Sequence, residues 1–335
     1  MKRHLLTLAI AATLLPLAAQ AAPRVYGQLN LSVDYMDEDV DSSMPSMDGK
    51  NWQLNSNSSR IGVKGSEKLT EEYTAVYKME WAVNGDVGGT DLNARERYIG
   101  IKHYQLGTMR LGFIDAPFKN AEDEIDAFND LSRLDIDKFI YGQNRLDNSI
   151  NYVSPKFLDV FGANITMQPG EQSSNVNENH LADGYSAAFS YEDDSLYLSY
   201  AMDKEILDSR VGGVDTDAMR FNARYKMGDM MISGMYQTAE PTKKLVGTTL
   251  DKEDSFLLSG SYKINMMTLR GEVLMSTQDM VAGGSIDTTL VGVGVDYNMT
   301  ENTRVFGNLA NRMVEQTAKS DMNTVYLGVG TEVRF

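Results

Sequence analysis

The 335-residue sequence contains no cysteine, so no disulfide staples it and no thiolate can serve as nucleophile or metal ligand. Histidine is nearly absent as well, with three residues. His4 sits in the amino-terminal leader described below, and neither His103 nor His180 adjoins a serine nucleophile motif, which speaks against hydrolytic catalysis and hence against an enzyme. Beyond residue 21 there is no apolar run of 18 residues, which excludes a helical membrane protein. Positive charge is in deficit, with 31 Lys+Arg against 47 Asp+Glu and a net charge of −16, so nucleic acid is not an expected partner. Proline is scarce. Pro23, Pro45, Pro117, Pro155, Pro169 and Pro241 all fall in connections or at strand edges, where a missing N–H does no harm.

What is present begins with "MKRHLLTLAIAATLLPLAAQAAPRV". Lys2 and Arg3 precede an apolar stretch that ends in the small-x-small triplet Ala19-Gln20-Ala21. This pattern predicts a secretory signal peptide over residues 1–21 and a mature domain over 22–335. Loss of Lys2 and Arg3 takes the net charge from −16 to −18.

The mature part alternates. In "AMRFNARYKM", Met219, Phe221, Ala223, Tyr225 and Met227 oppose Arg220, Asn222, Arg224 and Lys226. Successive side chains of a strand point to opposite faces, so each such segment is a two-sided ribbon. Sixteen segments of this kind are expected, from Val25–Tyr35 to Val325–Phe335. Short connections such as "GDM" and "INMM" alternate with long polar ones such as Met36–Asn57 and Asp203–Thr216. Two rims of unequal loops, with tyrosines toward strand ends, match a transmembrane barrel, whereas a soluble sandwich would bury most of its aromatics. The mean hydropathy of −0.33 does not oppose this, because a barrel averages its apolar face with its polar one. The expected fold is an all-β antiparallel transmembrane barrel of about 16 strands. In lipid no sheet edge can stay open, so the terminal "YLGVGTEVRF" must zip against the first strand and fix Phe335.

"RVYGQLNLSVDY", "SSRIGVKGSEKL", "RYIGIKHYQLGTMRLG", "NRLDNSINYVSP" and the closing "YLGVGTEVRF" resemble, in order and spacing, the Gram-negative general porins. The resemblance implies a homotrimeric diffusion channel in the outer membrane, surrounded by lipid and lipopolysaccharide. It implies no cofactor and no metal, and a terminal Phe335 read by the barrel-assembly machinery. It also implies a third loop folded into the lumen, here residues 114–143, facing the wall arginines Arg60, Arg95 and Arg145. Period two puts Arg60 opposite lipid-facing Ile61 and Val63, and Arg145 opposite Leu146, Ile150 and Tyr152, while Arg95 shares parity with Ile99 and Ile101. Two departures remove positive charge from this site: Gln28 stands where the family often has a basic residue, and Gly112-Phe113 where Gly-Arg is common.

The loop segment carries Asp115, Glu122, Asp123, Glu124, Asp126, Asp130, Asp135 and Asp137 against Lys119, Arg133 and Lys138, with a helical turn expected at Ala121–Phe128. Poorly screened carboxylates in a narrow lumen favour cations, so the expectation is a passive pore for ions and small hydrophilic solutes with mild cation preference. The rival readings are a substrate-specific porin or a structural or adhesive barrel. Sparse inward aromatics (Tyr26, Tyr197, Phe306, Tyr326) argue against a sugar slide. The stretch "DEDVDSSMPSMDG" sets Asp37, Asp39, Asp41 and Asp48 at calcium-loop spacing but has Ser42 for the required glycine and no flanking helices, so an EF-hand is not expected.

Overall fold

The computed structural model describes residues 21–41, 49–88, 92–170, 180–208, 214–242, 250–317 and 320–335. The leader at 1–20 and the template residues Ser42 and Asp48 lie outside the described residues. Among the described residues, seventeen strands form one antiparallel sheet that closes on itself. β1 (Ala21–Val40) pairs along one edge with β17 (Met322–Arg334), from Gln28↔Arg334 to Val40↔Met322. Its other edge pairs with β2 (Gly49–Ser56) in its upper half and with β3 (Arg60–Lys68) in its lower half. β2 and β3 are thus two halves of one wall position, interrupted at Asn57–Ser59, and the barrel has sixteen positions. The remaining strands follow as sequential hairpins: β4 (Tyr73–Val83), β5 (Leu92–His103), β6 (Gly107–Asp115), β7 (Arg145–Val153), β8 (Phe161–Gln168), β9 (Gly184–Glu192), β10 (Leu196–Leu207), β11 (Asp215–Met227), β12 (Met230–Pro241), β13 (Leu250–Ile264), β14 (Met267–Met280), β15 (Ser285–Asn298) and β16 (Thr303–Gln316).

β2 lies inside the stretch expected to be a long loop. Several strands also run further into the long-loop rim than alternation showed; β12 extends to Pro241 and β16 to Gln316. The reason is solvation. Beyond the membrane both faces of a strand meet water, so the apolar parity disappears while the backbone ladder continues.

The parity argument holds at the wall. Met219, Phe221 and Tyr225 are 45%, 52% and 51% exposed on the outside, whereas Arg220 and Arg224 are 0% and 5% exposed inside. Aromatic girdles mark the rims: Tyr35 meets Trp52 at 5.0 Å on the long-loop side, and Tyr73 meets His103 at 4.9 Å on the short-turn side. The short turns are tied locally. At the β9–β10 turn, Asp193 accepts hydrogen bonds from the Tyr191 hydroxyl (2.6 Å) and from the amides of Ser195 and Leu196, which hold its carboxyl below the usual carboxylate range.

The chain end is fixed as closure requires. The Phe335 amide donates to the Gly27 carbonyl at 3.0 Å, and the Gly27 amide donates to the Phe335 carbonyl at 2.9 Å.

Candidate functional site

Between β6 and β7 the chain turns into the barrel. Pro117, whose fixed φ suits a first helical position, opens the short helix α1 (Pro117–Asn120), and a single 3₁₀ turn follows at Ile136–Lys138. The helical turn expected at Ala121–Phe128 is instead this shorter α1, set four residues earlier.

One side of the loop is apolar and packs on the wall. Ile125, Phe128, Leu131, Leu134, Ile136, Phe139 and Ile140 form a buried cluster with Met235, Leu257, Leu274, Leu290, Phe306, Ala310 and Tyr326, contributed by β12–β17. Each such side chain withdrawn from water contributes about 1.5–3 kcal/mol. The strands beneath are therefore apolar on both faces at mid-height: Leu257 is buried while Phe256 and Leu258 are 53% and 61% exposed to the outside.

Polar anchors complete the seat. The Ala121 carbonyl accepts from Tyr197 Oη, Ser199 Oγ and Asn222 Nδ2 at 3.0, 3.0 and 2.7 Å. Glu272 accepts from the Ala127 amide at 2.8 Å, Asp208 from the Gly142 amide at 2.7 Å, and Glu253 from the Tyr141 amide at 3.1 Å. Arg220 is wholly buried, with its guanidinium 4.4 Å from the Phe118 ring centroid, 2.6 Å from Gln237 Oε1 and 3.4 Å from Glu122.

The opposite side of the loop is polar and faces a cavity of about 430 Å³ against the β3–β7 wall. Arg60, Arg95 and Arg145 line it together with Asp115, Glu122, Asp123 and Asp130. Arg60 Nη1 lies 3.0 Å from each carboxylate oxygen of Asp130. Arg145 Nε lies 2.6 Å from Asp115, which Lys119 approaches at 3.7 Å. Arg95 pairs with Glu80 on the neighbouring strand at 2.6 Å.

Two of the expected acidic residues stand elsewhere. Asp126 is buried beneath the loop and accepts from the Phe128 and Ile136 amides at 2.6 and 3.1 Å. Glu124 pairs with Lys226 at 2.8 Å on β11. Glu122, though on the cavity side, is largely covered and accepts from Gln143 at 2.6 Å. Asp123 also pairs with Arg224.

Bulges explain the parities. On β5, Arg95 and Glu96 together oppose the single residue Glu80, so Arg95 faces inward although Ile99 and Ile101 face out. On β7 the expectation for Leu146 fails. It is 2% exposed and packs with Ala116, Phe118 and Tyr141 in a second buried cluster, not against lipid. Asn148, with φ of 49°, resets the register before Ile150.

Sequence reasoning missed Glu80, which also accepts from the Tyr26 hydroxyl at 2.7 Å. Its signal was present, since Lys78 and Glu80 share the polar parity of "YKMEWAV". Asp135 and Asp137, counted in the loop's charge, also line the cavity. His103 and His180 are far from it: the first ends β5 at the short-turn rim and the second pairs with Asp183 in a long loop. Among the described residues no group of three or more His, Asp or Glu is placed to hold a metal.

A closed barrel, oily outside and hydrophilic inside, with an ion-paired loop narrowing its lumen, defines a β-barrel channel protein of the outer membrane. The chain belongs to the Gram-negative porin family, whose model matches residues 7–317. It is 25% identical to the major outer membrane protein P.IB of Neisseria sicca, over 90% of this chain and 91% of that relative. It is 24% identical to outer membrane porin protein 32 of Delftia acidovorans, over 92% and 89%. The anion-selective porin from Comamonas acidovorans has the same fold, with a TM-score of 0.75 at 19% identity, covering 94% of this chain and all (100%) of that one. Outer-membrane OmpT of Vibrio cholerae, solved in a trimer form, superposes with a TM-score of 0.65 at 18% identity, over 94% and 100%. At the level of the family the function is that of a porin.

Proposed function

We propose that the protein is a general diffusion channel for ions and small hydrophilic solutes, with a mild preference for cations. The observation that carries this is the lining of the 430 Å³ cavity: Arg60, Arg95, Arg145 and Lys119 face Asp115, Glu122, Asp123, Asp130, Asp135 and Asp137. Four cations against six carboxylates leaves a negative balance across a gap too narrow for full ionic screening. The opposed charges also set up a transverse field that favours polar solutes over greasy ones. Gln28 supports the sign of the balance, because it stands where the family often has a basic residue and meets Asp130 at 3.2 Å without bringing charge.

In this reading residues 1–21 are a cleaved export signal, and Phe335 is the mark the assembly machinery reads. The mature barrel works as a homotrimer in lipid and lipopolysaccharide. The test is a planar-bilayer reversal potential in a salt gradient: a cation-selective sign is expected, and an anion-selective sign, as the Comamonas acidovorans porin is named for, would overturn it. Liposome swelling tests generality. Solutes should enter in order of size; one substrate entering far out of order would instead indicate a specific channel, and none entering a structural barrel.

A further inference from the structure

Below the cavity, the same wall carries positive charge that no carboxylate balances. Lys64 stands on β3 on the lumen side, four residues from Arg60 and about 13 Å nearer the short-turn mouth. It is exposed, pairs in register with Arg24 on β1 and Lys78 on β4, and lies 4.8 Å from the Tyr26 ring centroid. Arg110 on β6 has its guanidinium 4.9 Å from the Tyr98 ring centroid. It donates through Nε to Asn151 Oδ1 at 2.8 Å, and among the described residues its two Nη groups make no hydrogen bond. Lys102 is exposed on β5, between these strands. Lys78 is balanced by Glu96 at 2.6 Å and Glu80 at 3.5 Å, whereas Arg24, Lys64, Lys102 and Arg110 make no ion pair among the described residues.

The backbone between these cations leaves room for a ligand. Across the sheet, Ser66, Val76, Gly100 and Arg110 are successive partners in one row. Gly100 raises no side chain between the charges, and a Cβ there would come to 3.0 Å from Arg110 Cγ and run into the Met109 carbonyl. The result is a shallow saddle over Val76 and Gly100, with Lys64 on one side and Lys102 and Arg110 on the other. Neighbouring strands lie about 4.8 Å apart, so the stems of Lys64 and Arg110 are about 14 Å apart. That span decides the ligand class. A single carboxylate meets one of these cations at a time, whereas a short chain of phosphoryl groups reaches across them. Its oxygens suit both the point charge of a lysine and the fork of an arginine.

We propose that this saddle binds a soluble, compact polyanion bearing several phosphoryl groups, at the short-turn mouth of the lumen, which faces the periplasm in barrels of this class. Tyr26 and Tyr98 support the role. A ring face beside a cation steadies it without cancelling its charge, as a carboxylate would. The arrangement also fixes the direction of loading. An anion coming from the long-loop mouth has first to pass the cavity, where carboxylates outnumber cations. One coming from the short-turn mouth meets the unpaired cations directly. Once seated, the occupant stands in the path of the ions below the constriction and reduces their current. The sign of ion selectivity is a separate matter, set at loop three.

The test titrates the full-length protein in mild detergent with inorganic tripolyphosphate, followed by calorimetry. Wild type should bind, and more weakly as salt rises. Lys64→Gln/Arg110→Gln should weaken binding at least ten-fold. Lys156→Gln, at a short-turn lysine paired with Glu192 away from the saddle, should stay within two-fold of wild type. No binding by wild type, an unweakened double variant or an equal loss in Lys156→Gln overturns the proposal. If the double variant does not fold, Val76→Glu sets a carboxylate in the saddle instead and must show the same ten-fold loss. In planar bilayers, tripolyphosphate in the short-turn chamber should block the current at a concentration at least five-fold lower than in the long-loop chamber. A Glu71→Cys thiol, the only one in the chain, identifies the short-turn chamber by its reaction with an impermeant reagent. Equal block from both chambers places the occupant elsewhere in the lumen and overturns the proposal. A barrel that binds as expected but does not conduct supports the site and overturns the open-channel reading instead.

Discussion

Asp130 presents both carboxylate oxygens to Arg60 at 3.0 Å and accepts from Gln28 Nε2 at 3.2 Å, so the loop's inner side is clamped to the β1–β3 wall. Two unit charges 4 Å apart interact by about 1 kcal/mol in bulk water and about 4 kcal/mol at an effective dielectric of 20. Removing one partner therefore changes the local potential enough to shift ion permeability several-fold. Arg60→Ala is expected to raise the cation-to-anion ratio, and Asp130→Asn to lower it. Reversal potentials of the two variants in the same salt gradient should move in opposite directions.

Loop three is held by packing, so cutting its largest anchor should widen the passage. Phe128 is fully buried and lies against Gly292 so closely that a Cβ at 292 would approach its ring to 2.5 Å. Phe128→Ala should cost about 3–5 kcal/mol of loop seating. Liposome swelling should then admit larger sugars than wild type does. An unchanged size limit would show that the polar anchors alone keep the loop in place.

Arg220 offers a test of stability. It is wholly buried, and Glu122, Gln237 and the carbonyls of Phe118 and Tyr141 surround it. Arg220→Met leaves Glu122 covered without its cation, a loss of about 3–5 kcal/mol for a buried pair broken on one side. The unfolding temperature in detergent should fall, and adding Glu122→Gln should recover part of the difference.

Closure of the barrel depends on the contact between Gly27 and Phe335. A Cβ at Gly27 would lie 2.6 Å from Phe335 Cζ and 2.7 Å from the Arg60 carbonyl oxygen, so Gly27→Val displaces the terminal ring. Both Gly27→Val and deletion of Phe335 should reduce the fraction of folded, heat-modifiable barrel in membranes. The deletion should have the larger effect, because it also removes two backbone hydrogen bonds.

The sequence spoke most clearly where one face meets lipid, because Met219, Phe221 and Tyr225 alternate strictly with Arg220 and Arg224. β2 was hidden because its residues lie at the rim, where both faces are wet. Arg60 could be oriented by counting, but Leu146 could not, since the bulge at Asn148 breaks period two with no proline or glycine on β7 itself to announce it. The loop's own chemistry divided. Asp115 and Asp130 stand at the cavity as their order suggested, whereas Asp126 is an anchor, and no spacing rule separates a lining carboxylate from one that caps backbone amides. A further signal was legible but unused. Triplets such as Phe256-Leu257-Leu258 and Val273-Leu274-Met275 are apolar on both parities, and a strand needs a greasy inner face only where something greasy covers it.

The seat of loop three draws on both ends of the chain. Gln28 and Asn57 touch it from the first strands, the latter through the Ser132 amide at 3.0 Å, while Phe306 and Tyr326 meet it from β16 and β17. These groups become neighbours only after the final strand has zipped against the first. The loop's seat is therefore complete only in the closed ring: β10–β15 offer it a bed on their own, and the clamp from Gln28 and Asn57 arrives when the free edges meet.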